Sequence, residues 1–274
     1  MYKFVKNNHL FPSHILEYRK NRHFYDVFVE DKKVASFYIT INEHDCDFEI
    51  TYLEYNDLYE LFNRIYQFMI NRYRFEKVIY KGNKKEVRHT LNKLAFYSKG
   101  KILQRITDPY RLLCKKNTFN EEGLIIKQDN TDVIPFGLFN SKDKGCGWIA
   151  AYNLLQVNHF NPEIYDVTSN LSKDDLFFSA FGESVFSLYA YLKKKLDVKF
   201  ASLPEKMLVK KMNASSEGIL LYYHKRGAHF TMYRKVNENE FEFINAVYGK
   251  KVIMNAEAFM KKYTIMHFAT IIYK

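Results

Sequence analysis

Lys144-Gly145-Cys146-Gly147-Trp148-Ile149-Ala150-Ala151-Tyr152-Asn153-Leu154-Leu155 is the stretch on which the reading of this chain turns. It reads as a tight turn feeding a helix, with Cys146 between two glycines at the helix start. Amides at a helix start, together with the helix dipole, lower a thiol pKa, so the position predicts a thiolate near neutrality. The flanking glycines leave room for a substrate carbonyl close to the backbone. Taken alone the signal is modest, since most cysteines of intracellular chains are simply buried structural residues.

Downstream, Ser172-Lys173-Asp174-Asp175 is expected to cap a helix starting near Leu176, and Glu183 to Leu196 a further helix, with Phe186, Tyr189 and Leu192 on one face. The last 60 or so residues turn sheet-like. Glu217 to His224, His229 to Val236 and Glu240 to Ala246 read as three strands, Asn255 caps a short helix, and Ile265 to Tyr273 closes the chain as a strand. Helices followed by an antiparallel sheet make an α+β domain. Within it, His229 follows a glycine turn at the start of one strand and Asn245 ends the next. Antiparallel pairing brings both to one sheet end, where a base and its orienting group would meet. A turn-capping histidine and a strand-ending asparagine are the plainer alternatives.

Upstream, Asp108 to Thr131 holds Pro109, Asn-Glu-Glu-Gly and Asp-Asn-Thr-Asp, and reads as a join between domains spanning 1–115 and 133–274. The first half carries strands over Phe24 to Leu53, where Phe48, Ile50 and Tyr52 alternate with polar residues. Asn56 or Asp57 caps a helix to about Tyr73, with Leu58, Leu61, Phe62, Ile65, Phe68 and Met69 at helical spacing. Val78 to Tyr80, a helix over Glu86 to Leu94, and Lys101 to Thr107 as a strand complete it.

Composition narrows the classes. The chain has 274 residues, only 10 glycines and 5 prolines, and 3 cysteines, which excludes collagen, disordered tracts and disulfide scaffolds. No apolar run approaches the roughly 20 residues of a spanning helix. Met1 to Arg22 shows no apolar core or cleavage site, so no signal peptide and a cytoplasmic location are expected. The net charge of +11 is spread along the chain, which argues against a nucleic-acid arm. Cys46 with His44 and Asp45 has no recognised metal spacing, so no metal is expected.

Cys-Gly-Trp at a helix start, then His229-Phe-Thr-Met-Tyr, then Phe243-Ile-Asn-Ala-Val-Tyr-Gly249, resembles the papain-like cysteine peptidases, in the style of the bacteriocin-processing, double-glycine leader peptidase branch. The resemblance covers about residues 133–274. It implies Cys146 as nucleophile, His229 as general base and then acid, and Asn245 as the group orienting the imidazole. Where that family has a glutamine before the cysteine as oxyanion donor, this chain has Asn140, with Gln128 further upstream as the alternative; the backbone amide of Cys146 would be the second donor. The first half resembles a degenerate GCN5-related N-acetyltransferase fold, with Asn92-Lys93-Leu94-Ala95-Phe96 at its helix-to-strand turn. Its cofactor loop would be Tyr55 to Glu60, which has no glycine and carries Asp57 and Glu60, so no cofactor is expected. These likenesses imply a cysteine peptidase or amidohydrolase working through an acyl-enzyme. The alternatives are an acyltransferase delivering the acyl group to an amine, or a catalytically decayed binding module. The substrate expected is a peptide, a carrier-protein-linked acyl group or a small amide; homo-oligomerisation is left open, and no specific nucleic acid is expected.

Overall fold

Short aromatic and β-branched runs joined by polar turns fold here as a meander. Strands β1 (Tyr2–Lys6), β2 (Arg22–Val29), β3 (Lys32–Asn42) and β4 (Asp45–Leu53) pair antiparallel in sequence order. Glu30 and Asp31, both at positive φ, turn the chain between β2 and β3, as a two-residue hairpin loop requires. This computed structural model describes residues 2–7, 21–174, 183–202, 205–246 and 251–273. The chain divides into two units, Met1–Leu112 and Leu113–Lys274.

In the first unit, helix α1 (Leu58–Tyr73) carries the chain across to β5 (Lys77–Tyr80), which lies parallel to β4. A parallel neighbour cannot be reached by a tight turn, so a crossover helix is needed. Asp57 caps α1 by accepting from the Glu60 amide at 3.0 Å, and Arg74 ends it in the left-handed region. Helix α2 (Lys85–Lys93), β6 (Tyr97–Lys99), β7 (Ile102–Ile106) and the short α3 (Pro109–Leu113) follow. The sheet order is β1-β2-β3-β4-β5-β7-β6, a mixed sheet with one parallel pair among its neighbours. Phe37, Ile39, Phe62, Ile65 and Val78 are among the residues that fill the core between sheet and helices. Strands β1 and β6 escape the sequence reading: β1 is only five residues and β6 only three.

The second unit begins with a segment holding two 3-10 turns, Lys116–Thr118 and Gln128–Asn130, and then a hairpin, β8 (Pro135–Phe136) and β9 (Phe139–Asn140). Helices α4 (Ser141–Lys144), α5 (Cys146–Val157), α6 (Ile164–Asp174) and α7 (Val185–Lys193) come next. Then come β10 (Val198–Ala201), α8 (Glu205–Asn213), β11 (Glu217–His224), β12 (Gly227–Lys235), β13 (Phe241–Ile244), β14 (Val252–Met254), α9 (Ala256–Tyr263) and β15 (Met266–Tyr273). The described strands form a six-stranded antiparallel sheet in the order β10-β15-β11-β12-β13-β14. Every residue of α5 from Gly147 to Gln156 is buried, so it is a central helix rather than a surface one. It packs on β11 and β12 and also touches α6 and α7.

Both units are α+β. Ser172, Lys173 and Asp174, expected in the cap of a further helix, lie in the last turn of α6, and Asp175, the fourth residue of that cap, lies outside the described residues. The expected start near Leu176 lies outside the described residues. Ser184 does cap α7, accepting from the Phe186 amide at 3.2 Å, and Asn255 caps α9, accepting from Ala258 at 2.7 Å.

Candidate functional site around Cys146

The start of α5 is built by close packing. A Cβ at Gly145 would lie 2.6 Å from the Trp148 indole nitrogen and 2.9 Å from the Ser141 Cα, so only glycine lets α4 run directly into α5. The Trp148 indole N–H donates to Ser141 Oγ at 3.0 Å and locks the junction. At Gly147 a Cβ would meet the Glu183 carboxyl carbon at 2.8 Å and its Cβ at 3.0 Å. The space expected for a substrate carbonyl beside these glycines is therefore occupied by the chain's own atoms.

The Cys146 sulfur faces backbone amides of Phe230, Gly147 and Cys146 itself, and Lys144 lies close enough to favour negative charge. Burial outweighs all of these and pushes the thiol above its ordinary pKa. The expectation of a thiolate near neutrality is thus corrected: desolvation exceeds the helix-start effect, and the resting group is a neutral thiol.

Phe230 brings β12 against that sulfur, and His229 precedes it. The His229 ring packs edge-on to Tyr222, its cross-strand partner on β11, at 5.7 Å, and lies 5.9 Å from the ring of His224. His229 Nε2 is 2.6 Å from the backbone carbonyl oxygen of Asn245. A carbonyl can only accept, so Nε2 carries the proton and Nδ1 holds the lone pair. Burial lowers the His229 pKa against the opposing pull of that carbonyl, which keeps the imidazole neutral.

Asn245 follows β13 and is almost fully buried, with φ of 54°. Its side chain turns away from the histidine. Its Nδ2 donates to Gln128 Oε1 at 3.1 Å, and its Oδ1 is buried with no hydrogen-bond partner among the described residues. The hydrogen bond from His229 is accepted by the main-chain carbonyl of Asn245 and not by its side-chain amide. Asn140 caps α4, its Oδ1 accepting from the Asp143 amide at 3.1 Å. Gln128 Nε2 donates to the Lys142 carbonyl at 2.9 Å, so Gln128 bridges the α4 turn and Asn245.

Sequence reasoning missed the clamp that brings Gln128 here. Asn153 of α5 holds Ile125 twice, donating to its carbonyl at 2.9 Å and accepting from its amide at 2.7 Å. Arg234 of β12 pairs with Glu122 at 2.5 and 3.0 Å and with Glu242 at 2.5 Å. The signals in the sequence are Asn153 and Gln156, two amides in a largely apolar helix, since buried amides must find partners; Gln156 Nε2 donates to the Glu122 carbonyl at 3.2 Å. In the first unit, the segment at the start of α1 borders a cleft of about 620 Å³ lined by Glu30, Glu54 and Asp57 against Lys32. Three carboxylates against one lysine disfavour a phosphate there. No cluster of three metal-ligating side chains occurs among the described residues. No described helix is long and apolar enough to cross a membrane.

Comparison with known proteins returns no matching family model and no matching curated protein. Solved structures to which the chain is similar include the Campylobacter jejuni N-acetyltransferase PseH in complex with acetyl coenzyme A, at 14% identity and a TM-score of 0.30, over 34% of this chain and 72% of that one. A second structure of the same N-acetyltransferase matches at 13% identity and 0.30, also over 34% and 72%. A putative acetyltransferase from Sphaerobacter thermophilus matches at 8% identity and 0.28, over 33% and 72%. These findings correct the expectation of a papain-like, leader-peptidase-type fold, and with it the thiol protease and amidohydrolase reading. The physical reason lies in the motifs. Three short segments in the right order fit many helix-then-sheet domains, and here they do not build the implied contact between the Asn245 side chain and His229.

Proposed function

We propose that the second unit is a cysteine-dependent acyltransferase that carries an acyl group on Cys146 and passes it to an amine. Two observations support this reading: the Cys146 sulfur faces the backbone amide of Phe230, the residue that follows His229 in β12, and His229 Nε2–H is held by the Asn245 carbonyl. That leaves Nδ1 as the base. In the forward step, His229 Nδ1 takes the thiol proton as sulfur attacks a thioester carbonyl. The thioester's departing thiolate takes that proton from His229 and leaves as a free thiol. The amine then attacks the acyl-enzyme, His229 accepts its proton, and Cys146 sulfur leaves and is reprotonated. Both groups rest neutral, so proton transfer from sulfur to Nδ1 accompanies the attack rather than preceding it. Asn140 and the Cys146 amide are the proposed oxyanion donors, and Asn245 the orienting residue.

The test is intact-mass analysis after incubation with a simple acyl thioester such as an acyl-N-acetylcysteamine. The expected result is one acyl adduct on Cys146, absent from Cys146→Ala. A wild type that gains no adduct, or a Cys146→Ala protein that still gains it, overturns the reading and favours a binding module.

A further inference from the structure

Gln128 is a polar residue tied into the site, 117 positions from its partner Asn245, and the acyl-transfer steps do not use it. Its amide has one orientation open to it. The Lys142 carbonyl can only accept, so Nε2 must face Lys142 and Oε1 must face Asn245. Oε1 can only accept, so Asn245 must present Nδ2 to it, which leaves Asn245 Oδ1 without a partner among the described residues, in a buried place. Leaving a buried acceptor unmet is costly, and natural structures keep such defects mainly where they serve a purpose. The same residue is held at a φ of 54°, a conformation that asparagine tolerates better than most residues. In that conformation its carbonyl meets His229 Nε2 at 2.6 Å.

We infer that Gln128 is a positioning residue for His229. By holding the Asn245 side chain, it keeps the Asn245 carbonyl aimed at Nε2 and so selects the imidazole tautomer whose Nδ1 is the base. This rests on the acyl-transfer reading for its consequence, but the tautomer itself can be read without any substrate. The segment that carries Gln128 is itself anchored, because Asn153 pins Ile125, three residues upstream, through both backbone groups.

The experiment is a histidine ring 1H–15N spectrum of the full chain, with acyl-adduct formation measured in parallel. Wild-type His229 should show a single Nε2–H form. Gln128→Ala should show both tautomers in exchange and form the adduct about tenfold more slowly. Gln128→Glu, which keeps an acceptor for Asn245 Nδ2, should return the Nε2–H form. If Gln128→Ala does not fold, Gln128→Met, similar in size but without a hydrogen bond, takes its place with the same expectation. A substitution that lowers the melting temperature while His229 stays wholly Nε2–H shows a merely structural role and overturns the inference. The two proposals fail separately. An adduct that persists in Cys146→Ala removes the acyl-transfer reading and leaves the tautomer result standing. Intact adduct chemistry with an unchanged tautomer in Gln128→Ala removes only the inference about Gln128.

Discussion

Asn245 separates what its backbone does from what its side chain does. The imidazole is held by the main-chain carbonyl, so truncating the side chain leaves that acceptor in place. Asn245→Ala should therefore keep measurable adduct formation. Its rate should fall by about tenfold, the factor that about 1.4 kcal/mol of lost positioning produces. A fall to the Cys146→Ala baseline would place the side chain in direct contact with the reacting groups. At Cys146 itself, burial raises the thiol pKa, so iodoacetamide labelling at pH 7 should be slower than for an unburied cysteine. Labelling should climb as pH rises through and beyond about 8.5, the ordinary thiol range. Rapid labelling below pH 7, read by peptide mass spectrometry, would show a stabilised thiolate instead.

At the scale of elements, α5 both presents the thiol and organises the segment before it. Asn153→Ala would strand the Ile125 amide and carbonyl, both buried against the helix. At about 1–3 kcal/mol for each unmet group, a loss of about 2–6 kcal/mol is expected in denaturant unfolding. A loss below about 0.5 kcal/mol would show that this segment is held some other way. Gly145→Ala should cost about 1–3 kcal/mol, because the added carbon meets the Ser141 backbone, which cannot swing aside as a side chain could.

The elements also differ in how legible they are in the sequence. The alternation in β4, the apolar spacing of α1, the Asp57 and Asn255 caps, and the helix at Cys146 all follow from local pattern and can be read from it. Strand β14 is three residues and β10 four, too short for periodicity to declare itself. The pairing of Gln128 with Asn245 spans 117 positions, and nothing local in either residue announces it. Local pattern misleads on the sign of the Cys146 shift for a related reason. The helix start is visible in sequence, but the burial that outweighs it depends on how the folded chain packs around the thiol, which no local pattern carries.

At the scale of the whole molecule, three histidines among the described residues have pKa values depressed chiefly by burial: His23 in the first unit, His224 and His229 in the second. In the unfolded chain each protonates near pH 6.5, while its folded counterpart waits for lower pH. Across that window the unfolded state binds more protons, so stability should fall as pH drops below about 6.5 and level off only below the folded values. Glu217, its carboxyl pushed up by burial, works in the opposite sense, over a window that opens at the ordinary value of about 4.3 and extends upward. Melting temperature should decline from pH 7 to pH 5.5, and less so in His229→Gln. A flat profile would mean that these imidazoles stay accessible to protons in the folded state.

The central claim, that Cys146 carries an acyl group destined for an amine, is tested most directly on the preformed adduct. Acyl-loaded protein, freed of thioester, is divided between buffer and buffer containing a primary amine, and the mass of the chain is followed in time. The account predicts that the amine discharges Cys146 at least tenfold faster than buffer alone and appears as the N-acyl product. Discharge at one rate in both, with only free acid released, would contradict it.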